Sequence, residues 1–206
     1  MHKLILKTAL ITLASVLALA LLLFGVFSLF VPSVMVSLTD KLGMDGACAR
    51  YSCAVYDKSG EVGDLAMAVE RSYNAQRYED AAAYGAELLA RDDFSDYCTA
   101  RDGAQNGLTS SYAQYAAGIT SVSQYLAGDG DAAVRTAFSA CGNAFAAGNA
   151  AVYLIDAALG EQGDAAMCGV LLTKLQELSS QLSPSQAEDA ARLSVWLRPL
   201  QEAAEA

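Results

Sequence analysis

The sequence predicts an all-α protein, with one N-terminal transmembrane helix followed by an acidic domain of packed helices. Three observations predict it. The start of the chain is uncharged and apolar over more than twenty residues. The remainder is rich in Ala, with only 3 Pro in 206 residues and an aromatic content of 8%. Polar helix-opening residues recur along that remainder at intervals suited to helices. Such a mix favours helices packed through small side chains over a sandwich or barrel, which would need more β-branched residues and turns. After the apolar start, the length left suits one ordinary domain.

The first element is the span. No charged side chain occurs between Thr8 and Thr39, and residues 9 to 31 are almost wholly Leu, Ala, Val, Ile and Phe. As a helix this stretch reaches about 35 Å, enough to cross a hydrocarbon core of about 30 Å. The competing reading is a secretory signal peptide, with His2, Lys3 and Lys7 as its basic start. Its apolar part is normally shorter and ends at a small-x-small site, and Val31-Pro32-Ser33 is a weak version of one. A retained anchor in the lipid bilayer, through residues 9 to 31, is the expectation. A lipoprotein reading fails at Asp45-Gly46-Ala47-Cys48, which lacks the preceding Leu and lies too far downstream.

Charge sets the orientation. Lys3, Lys7 and the amino terminus flank one end, Asp40, Lys41 and Asp45 the other, and positive charge stays on the cytoplasmic side. The amino terminus is therefore expected in the cytoplasm, residues 1 to 39 forming a cytoplasmic tip and anchor in the cell membrane, with the rest of the chain outside. Two of the 13 Lys and Arg precede residue 40, which leaves 11 against 23 Asp and Glu, a balance of −12. An excess of that sign opposes binding of the domain to nucleic acid or to anionic headgroups, since both need cations to replace counterions. A charged partner would be basic; solubility alone also accounts for the charge.

Residues 40 to 62 hold Gly43, Gly46 and Gly60 and the alternating piece Tyr51-Ser52-Cys53-Ala54-Val55-Tyr56. They read as a membrane-proximal linker with one extended stretch. Residues 63 to 206 read as a helical domain of seven helices of about 12 to 20 residues. Their openings are Gly63-Asp64, Tyr78-Glu79-Asp80, Thr109-Ser110, Gly130-Asp131, Gly148-Asn149, Gly163-Asp164 and Ser183-Pro184-Ser185. Asp, Asn, Ser and Thr at such sites accept hydrogen bonds from first-turn N–H groups, and Pro184 lacks the donor that would go unused. Buried stripes are expected along Met167, Leu171, Leu175 and Leu178, along Leu193, Trp196, Leu197 and Leu200, and along Tyr112, Tyr115, Ile119, Val122 and Leu126. Pro199 should kink or shorten the last helix.

A Gly-Asp-x-Ala-apolar pattern recurs at Gly63, Gly130 and Gly163, with offsets near two and one multiples of about 34 residues, the period of helical-hairpin arrays. In the stretch 65 to 93, Tyr73, Tyr78-Glu79-Asp80-Ala81, Tyr84 and Leu88-Leu89 resemble a tetratricopeptide repeat. Asp93 stands where that family has its closing Pro, and Val69 where it has a small residue. Gly63 would open a first helix and Gly130 a second, so the phases differ. The expected architecture is a tetratricopeptide-like helical-hairpin array or an irregular helical bundle. The resemblance implies a concave surface that grips a peptide or protein, and no chemistry. Tyr73, Tyr84, Tyr112 and Tyr115 are the candidate partner-binding face.

Little points to catalysis. The only histidine is His2, before the anchor, so no Ser/His/Asp or Cys/His arrangement is available to the domain. Cys48, Cys53, Cys98, Cys141 and Cys168 contain no Cys-x-x-Cys pair for zinc. Asp92, Asp93, Asp96 and Asp102 lack the ligand spacing of a calcium loop and read as a solvated cluster. Neither a metal nor a cofactor is expected. Outside the cytoplasm, Cys48 and Cys53 are candidates for a small disulfide ring, while Cys141 and Cys168 suit buried thiols in helices. Two functions follow: a membrane-tethered protein interaction or scaffold module that is not an enzyme, or, alternatively, a membrane-anchored thiol or metal-dependent enzyme using Cys48 and Cys53, with Arg50 as a nearby cation.

Overall fold

The computed structural model describes residues 2–104, 111–139, 144–160, 163–182 and 187–205. Eleven helices and no strand lie among them. The order is α1 (His2–Phe30), α2 (Pro32–Lys41), α3 (Asp45–Ser59), α4 (Val62–Asn74), α5 (Tyr78–Ala90), α6 (Phe94–Ala104), α7 (Tyr112–Leu126), α8 (Gly130–Ser139), α9 (Ala144–Ala158), α10 (Ala165–Gln181) and α11 (Ala187–Ala204).

Beyond its basic first turns, with Lys3 and Lys7, helix α1 is predominantly apolar. Its window Leu10–Phe27 has a mean hydropathy of 2.7, and none of it is buried against the rest of the chain. By length and composition it is able to cross a membrane. One residue, Val31, separates it from α2, whose first position is Pro32.

The region read as a linker is instead helix α3. Its buried residues are Cys48, Ala49, Ser52, Cys53 and Tyr56, a 1-3-1-3 spacing that belongs to a helix face. The alternation between Tyr51 and Tyr56 is a short window of that longer period, which is why it imitates a strand. Gly60 closes the helix in the left-handed conformation, φ +67°, its N–H donating to the Tyr56 carbonyl. Helix α3 packs on both α2 and α4, so the packed helices begin at Pro32 and not at Gly63.

From α4 onward eight helices follow, where seven were expected. The α4–α5 hairpin turns through Ala75, Gln76 and Arg77, with Gln76 at φ +57°, and fully buries Leu65, Ala66, Ala68, Val69, Ala81 and Leu88. Helix α7 is the centre of the array, buried without interruption from Ala116 to Gln124, and it packs on α5, α8 and α9. Two glycines permit this crowding. A Cβ on Gly85 of α5 would lie 2.3 Å from Thr120 Oγ1 of α7, and one on Gly118 of α7 would lie 2.3 Å from Tyr153 Cδ2 of α9.

Apolar side chains gather in two clusters. The first joins α3 through α7, around Leu65, Val69, Leu88, Tyr112 and Ile119. The second joins α8 through α11, around Leu154, Ile155, Leu171, Leu175 and Leu200. Helices α7 and α9 hold them together: Tyr125 of α7 reaches into the second and Tyr153 of α9 into the first.

The expected stripes on α10 and α11 face this interior, with Met167, Leu171, Leu175, Leu193 and Leu200 buried. Leu126 departs from its stripe and is exposed at the end of α7. Helix α11 runs past Pro199 to Ala204 without ending there. Gly148-Asn149 lies within α9 and opens nothing. The three Gly-Asp pairs all mark helix starts, in different registers: Asp64 falls in the first turn of α4, Asp131 in that of α8, and Asp164 is the N-cap of α10. Gly63 thus opens the first helix of one hairpin and Gly130 the second helix of another. Ser111 caps α7; the expected openings at Thr109-Ser110 and Ser183-Pro184-Ser185, and Cys141, lie outside the described residues.

Candidate interaction face

Tyr112 stands at the start of α7 as the hub of a polar and aromatic knot. Its backbone N–H donates to Asp102 Oδ1 at 2.8 Å, and its hydroxyl donates to Glu70 Oε1 of α4 at 2.8 Å. The Arg101 guanidinium of α6 lies 3.9 Å above the ring centroid, in cation–π geometry. Arg101 also pairs with Glu70 Oε1 at 2.9 Å and donates to the Tyr97 hydroxyl at 2.9 Å. Phe94, Tyr97 and Tyr115 approach the Tyr112 ring with centroids 6.3, 5.6 and 5.9 Å away. At 6% exposure Tyr112 is a core residue, which removes it from the expected binding face. Burial first, and the neighbouring Glu70 charge second, push its hydroxyl pKa far up.

The other expected tyrosines separate into two places. Tyr84 sits at the α3–α5 seam, edge-on to Tyr56 at 5.9 Å, and donates to Asp57 Oδ1 at 3.2 Å. Tyr56 donates to Glu87 in the same seam. Tyr73 and Tyr115 belong to a second group with Tyr153, a residue that sequence reasoning did not single out. Tyr115 and Tyr153 meet edge-on at 6.2 Å, and Tyr73 meets Tyr78 at 6.4 Å. Tyr73, Tyr78, Tyr84, Tyr115 and Tyr153 are half-buried, and Tyr56 is buried. Burial raises the pKa of both Tyr73 and Tyr115. The available signal for Tyr153 was its position opposite Gly118, visible only once α7 and α9 are placed together.

Tyr78 extends this row into an open groove of about 400 Å³ lined by Gln76, Arg77, Tyr78, Glu79, Asp80, Leu126 and Ala127. Exposed Leu126 gives it an apolar wall, and Glu79, Asp80 and the Asp80-paired Arg77 give it a charged one. The face therefore offers rings, hydroxyls and carboxylates, drawn from α4, α5, α7 and α9.

Cys48 and Cys53 do not form a pair. Cys48 and Cys53 are free and buried, and five positions along one helix separates their Cα atoms by about 8 Å, beyond disulfide reach. The Cys48 thiol lies 3.7 Å from the Val36 carbonyl of α2 and the Cys53 thiol 3.6 Å from Ser72 Oγ of α4. Burial pushes the Cys53 thiol pKa up, the opposite of what a thiolate nucleophile needs. The acidic cluster is dispersed: Arg91 holds both oxygens of Asp93, each at 2.7 Å, while Asp102 caps Tyr112. Among the described residues no three His, Cys, Asp or Glu side chains gather as a metal site would require.

Compared with known protein families, curated proteins and solved structures, the chain finds no significant match in any of the three.

Proposed function

We propose that the protein is a membrane-tethered interaction module, held by α1 and presenting the tyrosine row of α4, α7 and α9 to a protein or peptide. The observation that carries this reading is two pairs of half-buried rings, Tyr115 with Tyr153 and Tyr73 with Tyr78, the last of which lines the groove. Tyrosine supplies large contact area and a hydroxyl at low entropic cost, which suits it to interfaces. The neighbouring Glu79 and Asp80, with the −12 balance after residue 39, favour a basic partner. The side-by-side hairpins α4–α5 and α7–α8 fit a tetratricopeptide-like use of the inner face, and buried Ala81 occupies the helix crossing that such a hairpin needs. The basic tip at Lys3 and Lys7 supports a cytoplasmic amino terminus with the helical array outside it.

The test is photocrosslinking in intact membranes from a probe amino acid placed at Tyr115 or at exposed Leu126. A discrete partner crosslinked from both sites, and lost when Glu79 and Asp80 are both changed to Lys, is the expected result. Absence of any adduct other than to this chain itself overturns the reading. Changing Cys48 and Cys53 together to Ser should leave capture intact, whereas a thiol enzyme would lose its activity.

A further inference from the structure

Helix α2 has three faces. Pro32, Met35 and Thr39 are buried against the array, anchored by the Cys48 thiol to the Val36 carbonyl and by Met44 N–H donating to the Thr39 carbonyl at 2.9 Å. Ser33, Ser37 and Asp40 form a polar exposed face, and Asp40 is paired with Arg71 of α4. The third face is apolar and bare. Val31, Val34, Leu38 and Leu42, three, four and four residues apart, are 37%, 47%, 41% and 62% exposed, and Met44 just beyond them is 50% exposed. That spacing draws one continuous stripe along the helix.

We infer that this stripe lies in the interfacial layer of the bilayer, as an amphipathic collar at the foot of the helical array. The inference rests on the reading of α1 as a membrane span. The occupant follows from continuity. Val31 is the single residue between α1 and α2, so the stripe begins directly after α1, which exposes apolar side chains from Leu10 to Phe27, and both surfaces meet the same medium. The array covers the opposite side of α2 and leaves this one uncovered. Lys41 flanks the stripe near its far end, where an ammonium reaches the headgroup level. Along α2 itself Asp40 and Lys41 cancel, so insertion is driven by apolar burial and needs no anionic lipid. Because α2 is bound to α3 and α4 on its other faces, the collar fixes the side of the array that faces the lipid.

The full chain in phosphatidylcholine vesicles provides the test. In a Trp196→Phe background, which leaves no other Trp, single Trp residues are introduced as L17W, L38W or S37W, with helix content checked by circular dichroism. Quenching is read with acyl-brominated lipids and with aqueous acrylamide. L17W should be quenched by bromines throughout the chain, L38W by those nearest the headgroup, and S37W by acrylamide alone, with no change when anionic lipid is added. If L17W is quenched by lipid while L38W behaves like S37W, the collar is overturned and the span stands. If neither L17W nor L38W meets bromine, the span falls and the collar with it. If L38W is shielded from both quenchers and the chain crosslinks to itself, a second copy covers the stripe and the inference fails.

Discussion

Gly118 of α7 lies so close to Tyr153 of α9 that a single added Cβ would come within 2.3 Å of the ring. The nearest atoms belong to the inner part of the ring, which cannot swing away as a flexible chain end would. Alanine at a helix interior normally gains about 0.5–1 kcal/mol over glycine, whereas overpacking costs about 1–3 kcal/mol. Gly118→Ala should therefore lower stability by about 1–2 kcal/mol in urea unfolding. Gly169→Ala on α10, where nothing lies within 4 Å, should instead raise it by about 0.5 kcal/mol. Equal effects of the two would contradict the close α7–α9 approach.

Alkali should unfold the helical array sharply. Burial raises the hydroxyl pKa of Tyr73, Tyr84, Tyr112, Tyr115 and Tyr125, the last to about 12, and a hydrogen bond to Glu87 does the same for Tyr56. A raised folded value means that the neutral form is favoured by folding. The stability so contributed is complete below the unfolded value of about 10 and is lost as pH rises through and beyond it. Absorbance at 295 nm should show these tyrosines ionising together with loss of helix, and a simple titration centred at 10 with helix retained would contradict the placement.

Asp164 tests the acid side. As N-cap of α10 it accepts from Met167 N–H at 3.0 Å and from the Tyr125 hydroxyl at 2.9 Å, and the Met167 bond first, then that of Tyr125, lowers its pKa. Its contribution is therefore full above the unfolded carboxylate value of about 3.9 and lost as pH falls below it. Asp164→Ala should cost about 1–2 kcal/mol at neutral pH and flatten the stability profile below pH 4, measured by urea unfolding as a function of pH.

Thiol chemistry should be slow in the folded state. Cys48 and Cys53 are buried and free, and burial raises the Cys53 pKa. Alkylation by iodoacetamide at neutral pH should leave both unmodified until denaturant is added, and peptide mass mapping without reductant should find no Cys48–Cys53 disulfide. Rapid labelling of Cys53 in native buffer would contradict the packing of α3 on α4.

Much of the architecture was legible because it rests on long apolar periods. The long apolar helix α1 is visible in the uncharged stretch that begins at Thr8, and α10 in the regular recurrence of Met167, Leu171 and Leu175. Helix α3 was hidden because its glycines suggested a linker, although Gly60 ends the helix and Gly46 lies within it. The arrangement of the tyrosines was only half visible. The sequence singled out Tyr73, Tyr84, Tyr112 and Tyr115, yet could not tell that Tyr112 points into the core toward Glu70 or that Tyr84 belongs with Tyr56. Those assignments depend on which helices meet, and Tyr153 enters only through its fit to Gly118.

The exchange of Tyr125 and Tyr153 between the two apolar clusters gives the array a seam that interlocks across α7 and α9. In a strictly modular solenoid a pair of helices can be deleted and the neighbours reclosed on one another. Here, cutting the chain after α8 would strand the notch at Gly118 without the ring that fills it, and would leave Tyr125 without the floor it rests on. A deletion or duplication whose boundary falls on that seam would therefore break both fits at once.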